Sequence, residues 1–350
     1  MGEKASVFNK PIITDFEKKT VNNVLKKYEF IVKEFTKFKS SYKVKTEDGY
    51  VCLRKIRHGK NKIVNGELLC SKLKENGFIN IAKYYKTKTG SNYIKSGNCI
   101  FFVTEWIDGE ECNLKDILEA KECVKLLAKF HLASVNINLK QFNVKNNLKN
   151  WPKIFSNALV DLEKFKKMIE HKKLKDDFDI KYLKHIENFY CRGMDALGFL
   201  NASEYYKISQ TANDKKSITF DSFYYQNIIK AKDGFYMIDI DSIIDIHVND
   251  AAKLIRRLMF KEEYKWDFNK GELLIEAYNS INKLSKNEIE VILALIIFPH
   301  KFWKLGRKRY VKHKNWTQEK YINALDKLVN SDGLEQKFME DYFKYIECYK

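Results

Sequence analysis

The sequence predicts an α+β protein of two lobes, a small N-terminal one built on an antiparallel sheet over residues 1–107 and a larger helical one over 108–350. Three observations carry this. Before Gly109, short apolar runs alternate with turn signals, whereas after it apolar residues recur at helical spacing. Glycine and proline are scarce, 14 and 3 of 350 residues, so elements run long and are mostly helices. Apolar residues make up 45% of the chain, enough for a sizeable core and too many for a disordered protein.

In the first lobe, Val21, Val24, Leu25 and Tyr28 keep the i, i+3, i+4, i+7 spacing of a short amphipathic helix. Phe30 to Phe35 then alternates as a strand. Tyr42 to Thr46 and Tyr50 to Ile56 read as two more, joined in a tight hairpin by Glu47-Asp48-Gly49. The connection between the first two strands, Thr36 to Ser41, holds no glycine. Glu67 is expected to open a helix, GELLCSKLKENG, that stops at Gly77. There it is either a first-turn carboxylate favoured by the helix dipole or an ion-pair partner for a strand base. Ile79 to Lys86 and Cys99 to Trp106 follow as strands, and Ile107-Asp108-Gly109 reads as a hinge.

The second lobe opens with a helix over Lys121 to Ser134, whose apolar face carries His131 as a packing residue. Residues 146–206 read as a charged helical insertion with solvated Lys/Glu faces. Then comes the stretch that carries chemistry, a hairpin over 218–241. It has a polar loop ending in Asn227, a strand at Ile228-Ile229, a turn from Ala231 to Gly234, and a strand from Phe235 to Ile238 that delivers Asp239 and Asp241. After Asp250 a series of helices runs to the end, one opened by the capping box Ser285-x-x-Glu288. Lys301 to Lys314 interleaves Phe302, Trp303 and Tyr310 with Lys304, Arg307, Lys308 and Arg309. It reads either as an anion or acidic-partner site or as a basic helix packing its aromatics on the core.

The net charge of +18 favours an acidic partner surface or an anionic ligand. Nucleic acid is disfavoured, because the lysines are spread along the chain and no arginine-rich or Gly-aromatic signature stands out. Seven cysteines without a C-x-x-C pair argue against zinc and against a disulfide framework, and most read as small core residues. No apolar run approaches the roughly 20 residues that span a bilayer, and Met1 to Lys10 lacks the apolar stretch of a secretory signal. A cytoplasmic site of synthesis is the expectation.

A carboxamide at one end of a hairpin and carboxylates at the other suit a Mg²⁺-nucleotide, since Mg²⁺ takes hard oxygen ligands, a few from protein and the rest from phosphate and water. At these residues the chain resembles the kinase-like superfamily, in which a loop H-x-D-x-x-x-x-N precedes a strand hairpin and a metal-binding Asp. Asn227 and Asp239 match the two metal ligands, and Asp250 matches the Asp of the D-L-A segment of aminoglycoside-phosphotransferase-like members. The catalytic carboxylate departs from the pattern: Ser222 stands in its place, Phe220 in place of the His, and Asp221 is one position out of register. Arg54 falls where the family has its third-strand lysine, with Lys55 beside it; adjacent strand residues face opposite ways, so one of the two can reach a ligand. Glu67 is the candidate partner of that base.

FDSFYYQN, FFVTEWIDGEECN and ALIIFPHKFWKLGRKRYVKHKNW, in this order along the chain, resemble the CotS family of spore coat proteins. The resemblance implies a kinase-like fold, synthesis in the mother-cell cytoplasm, deposition in the spore coat and other coat proteins as partners. With the departures above, it implies a structural role and a degenerate phosphotransferase site that binds ATP and Mg²⁺ weakly or not at all. The alternative is an active ATP/Mg-dependent small-molecule or protein kinase of the aminoglycoside/choline phosphotransferase type, with Asp221 as base. A third reading takes Asp239-x-Asp241 as the D-x-D metal site of a glycosyl- or nucleotidyl-transferase.

Overall fold

The hairpin turn before Gly49 has the backbone it needs, with Gly49 at φ +123°, a region in which L side chains are strained. From it the N-terminal sheet spreads in both directions. The computed structural model describes residues 13–220, 223–240 and 242–349. In chain order the elements are α1 (Asp15–Leu25), β1 (Val32–Phe38), β2 (Ser41–Thr46), β3 (Gly49–Ile56), α2 (Lys60–Glu75), β4 (Tyr84–Tyr85), β5 (Ile94–Ser96), β6 (Cys99–Glu105) and β7 (Glu110–Glu111). Then follow α3 (Ile117–Ser134), β8 (Lys145–Asn146), α4 (Trp151–Glu170), α5 (Asp177–Ala202), α6 (Tyr205–Asp214), β9 (Ile218–Phe220), β10 (Ile228–Ala231), β11 (Gly234–Met237) and β12 (Ser242–Ile244). The chain closes with α7 (His247–Met259), α8 (Phe268–Asn279), α9 (Lys286–Ile297), α10 (His300–Gly306), a π-helical turn at Arg307–Val311, α11 (Gln318–Val329) and α12 (Asp332–Cys348). This is the α+β arrangement expected, an antiparallel sheet first and helices after.

The chain divides into two compact units. The first takes in the described residues up to Cys112, with Ile137–Val144 and Tyr224–Ser242. Its sheet runs β1-β2-β3-β6-β4, with β5 also on β6, all antiparallel. One sheet face packs on α1 through Val21, Val24, Leu25, Tyr28, Val44, Leu53, Phe101 and Val103. The β10–β11 hairpin joins this unit by backbone pairing: β10 pairs with β7, Met237 bridges Ile81, and the Ala82 amide donates to the Met237 carbonyl at 3.0 Å. The second unit is helical, with a core around Phe165, Phe178, Tyr182, Phe189, Phe302 and Tyr321.

Several expectations shift. The first strand runs over Val32–Phe38 instead of Phe30 to Phe35, because Phe30 is used in ring packing on Tyr28 and Tyr85. The helix expected to open at Glu67 starts seven residues earlier, at Lys60, so Glu67 is not a first-turn residue. Gly66 lies inside that helix: a Cβ there would meet the Tyr84 hydroxyl at 2.6 Å, so the glycine serves a close approach. Of Ile79 to Lys86 only Tyr84–Tyr85 is strand. The capping box forms, with the Ser285 side chain on the Glu288 amide and the Glu288 side chain on the Ser285 amide. Cys52, Cys70, Cys112 and Cys123 are buried, while Cys191 and Cys348 are exposed. Among the described residues no helix is long and apolar enough to cross a membrane.

Candidate functional site

Strand alternation sorts the two bases of β3. Val51 and Leu53 point into the core under α1, so Arg54 points to the opposite face, where its Nη1 lies 2.9 Å from Asp239 Oδ1. Lys55 is exposed, its Nζ 5.9 Å from the centre of the Phe101 ring. A second cation, Lys62 from the first turn of α2, reaches the same Asp239 oxygen at 3.2 Å. Burial pushes the Asp239 carboxyl up, but the charges and hydrogen bonds of Arg54 and Lys62 outweigh it and hold the group below the usual carboxylate range. Arg54 Nε is buried with no hydrogen-bond partner among the described residues.

Asp239 follows β11 with φ +57°, a left-handed backbone that few non-glycine residues adopt and that Asp and Asn tolerate best. The turn lifts its carboxylate out of the ladder. Asn227 closes a short 3₁₀ turn at Tyr225–Asn227, and its carbonyl accepts the Ile238 amide at 2.9 Å, so backbone hydrogen bonding ties it to the residue before Asp239. Glu67 pairs with Lys86 at 3.3 Å, whereas Arg54 pairs with Asp239. Asp221, Ser222 and Asp241 lie outside the described residues.

The connection between β1 and β2 shrinks to Lys39-Ser40, with Lys39 at φ +53°. This turn is occupied by its own side chains. Phe38 meets Trp106 edge-on at 5.4 Å, Lys39 is paired with Glu111, and Lys43 lies 4.7 Å from the Trp106 ring centre and 3.7 Å from Asp108.

In the second unit, α7 anchors both flanks of residues 221–222. The buried Asp250 carboxylate accepts the Phe220 amide at 2.7 Å, and Arg257 Nη1 donates to the Phe223 carbonyl at 2.8 Å. Asp250 is backed by His131 Nε2 at 3.3 Å, and His131 Nδ1 is 2.8 Å from the Tyr278 hydroxyl. Burial holds His131 down at about 3, so it is neutral, the satisfied packing histidine expected. Lys62 and Arg257 were not singled out by sequence reasoning. The first sits among many lysines at an uncapped helix start, and the second acts through a backbone carbonyl, which leaves no side-chain pattern to find.

The fold is that of the aminoglycoside phosphotransferases. The chain superimposes on one from Alicyclobacillus acidocaldarius subsp. acidocaldarius DSM 446 with TM-score 0.81 at 17% identity, covering 99% of each chain. Amicoumacin kinase hAmiN, solved with AMP-PNP, Ca²⁺ and Ami, matches with TM-score 0.54 at 12% identity over 92% of this chain and 93% of that one. Spectinomycin phosphotransferase APH(9)-Ia, solved with ADP and its antibiotic, matches with TM-score 0.53 at 12% identity over 92% and 98%. Within that fold, this chain belongs to the family described as "Spore coat putative kinase YutH", whose model matches residues 21–342. It is 24% identical over 348 residues to "Spore coat protein S" of Bacillus subtilis (strain 168), covering 96% of this chain and 98% of that protein.

Proposed function

We propose that this chain is an assembly protein of the spore coat that keeps a reduced nucleotide site. In this reading other coat proteins are its partners, it is made in the mother-cell cytoplasm, and phosphotransfer is very slow or absent. The first unit supplies Arg54 for phosphate, and Asn227, Asp239 and Asp241 for Mg²⁺, which when bound would neutralise phosphate charge. Lys55 faces away and Glu67 is spent on Lys86.

One observation carries the reduced-site reading. Asp239, the residue matching a metal ligand, is held by two cations on one oxygen, Arg54 at 2.9 Å and Lys62 at 3.2 Å. Its carboxylate suits Mg²⁺ in kind, since it is hard and held ionised, yet a metal taking that oxygen has to displace both cations from it. Nucleotide phosphates compete for the same cations, so ATP and Mg²⁺ should each bind poorly without the other. The glycine-free β1–β2 turn adds to this, since its Lys39 is spent on Glu111. Ser222 completes it: a serine hydroxyl cannot accept a proton as a carboxylate does, and losing a positioned base costs about 10²–10⁴ in rate.

Calorimetric titration of the purified protein with ATP, with and without Mg²⁺, tests the proposal. Weak binding that needs both is expected, with the Mg²⁺-dependent part lost in Asp239→Ala and little changed in Ser222→Ala. Robust ATP turnover that disappears in Asp221→Ala would overturn it in favour of an active kinase. That second reading draws on the left-handed backbone at Asp239, a conformation that persists where a side chain has to be aimed.

A further inference from the structure

The second unit holds a group of cations of its own, around His300. The stacking of Phe155 on Phe298 at 3.7 Å fixes the start of α4 against the Pro299 corner. That puts the Trp151 and His300 rings 5.8 Å apart, near perpendicular. Trp151 is 8% exposed and His300 6% exposed, and Trp151 Nε1 and His300 Nε2 have no hydrogen-bond partner among the described residues. Two buried polar ring nitrogens side by side and both unsatisfied are costly unless something pairs with them.

The charged groups that act most on His300 are positive, and the one carboxylate lining the same small cavity as Arg256 and His300, Glu335, is already paired with Arg192. Lys149 Nζ lies 5.3 Å from the Trp151 ring centre, Lys304 is one helical turn beyond His300 on α10, and the half-buried Arg256 spends one guanidinium nitrogen on the Leu295 carbonyl at 2.7 Å. Among the described residues none of Lys149, Arg256 and Lys304 is in an ion pair. Burial first, then Arg256, Lys304 and Lys149, keep His300 well below the usual imidazole range, and burial first, then Arg256, Lys149 and Lys308, lower Lys304. Burial with Arg257 brings Arg256 down to about 10. Like charges placed together at a cost, beside an unsatisfied indole N–H and an unsatisfied imidazole nitrogen, describe a site that lacks its counter-charge.

We infer that Trp151, Arg256, His300 and Lys304, with Lys149 at the rim, bind a small phosphate-type oxyanion. The tryptophan N–H and the guanidinium donate to its oxygens, and the two lysines supply charge. The site lies wholly in the second unit and is independent of the nucleotide reading given to the first.

Titration calorimetry and thermal shift in orthophosphate, at ionic strength held constant with chloride and without nucleotide, test it. Saturable binding and stabilisation are expected for the wild-type protein. Binding should weaken about tenfold or more in Lys304→Ala, at an exposed position, and in Arg256→Lys, which keeps the charge and loses the fork. A parallel arm with glycerol 3-phosphate separates a phosphomonoester, which would then bind more tightly, from the free anion. The inference falls if wild type shows no saturable response, or if Lys304→Ala and Arg256→Lys respond as wild type does, which would place the bound anion elsewhere.

Discussion

Replacing Arg192 by alanine is expected to destabilise the second unit by about 3–5 kcal/mol at pH 8, the range found when one partner of a buried ion pair is removed. Arg192 is 3% exposed; its Nη1 donates to Glu335 Oε2 at 2.7 Å, and its Nη2 to the Asp332 carbonyl at 3.0 Å and to the Asp332 side chain. The variant leaves Glu335 buried with Ser331 as its near hydrogen-bond donor. Burial already pushes the Glu335 carboxyl up to about 7 with Arg192 beside it, and removing the guanidinium raises it further. A carboxyl whose folded value lies above its unfolded one stabilises at low pH, and that contribution fades as pH rises through the folded value. The loss should therefore be smaller at pH 5.5 than at pH 8. Guanidinium unfolding of both proteins at both pH values decides it. A loss under about 1 kcal/mol at pH 8 would show that the pair is not the tie between α5 and α12 that its burial suggests.

Acidification should weaken the second unit through His131 and His247, and His247→Phe should remove half of that effect. Their rings stack at 4.3 Å with planes 1° apart, and each is held down at about 3, by burial first and in His247 also by the neighbouring imidazole. For a base with a depressed folded value, the unfolded chain binds more protons between about pH 6.5 and pH 3, so stability falls as pH drops through that window. At pH 5 this comes to about 2 kcal/mol per histidine relative to neutral pH. Asp245 opposes it, since burial raises its carboxyl to about 6 and folding favours its protonated form. The difference between wild type and variant isolates the histidine. His247 bonds the Ile218 backbone and its Nε2 has no hydrogen-bond partner among the described residues, so phenylalanine keeps the stack, gives up that one backbone bond at every pH and removes the titration. Denaturation midpoints at pH 7.5 and pH 5 should converge between the two proteins on acidification. An equal loss in both would refute the assignment.

What the sequence makes legible here follows the range of the interactions involved. Gly49, the Ser285 capping box and the β3 alternation that turns Arg54 away from Leu53 are local, set by residues a few positions apart. The meeting of Arg54 with Asp239 could be expected only through a resemblance, because the pairing that produces it joins residues more than 150 positions apart. The start of α2 was hidden for a physical reason. Gly59 at φ +101° gives the helix no side-chain cap, and Gly66 looks like a terminator until Tyr84 is seen to fill the space above it. Lys62, whose role depends on that helix start, was hidden with it.

The β10–β11 hairpin reaches its place on the first unit only after Lys145–Phe223 has been made, which has a consequence for the order of events on the ribosome. Asn80 and Ala82 wait for Met237, their backbone partner, for the synthesis of more than 150 residues, roughly ten to thirty seconds at ordinary elongation rates. Throughout that interval the chain's earliest sheet has an open margin beside Ile81, of the kind that recruits the wrong strand. Maturation of the N-terminal part is thereby timed by the C-terminal part, and a chain cut short after Val144 would keep that margin open indefinitely.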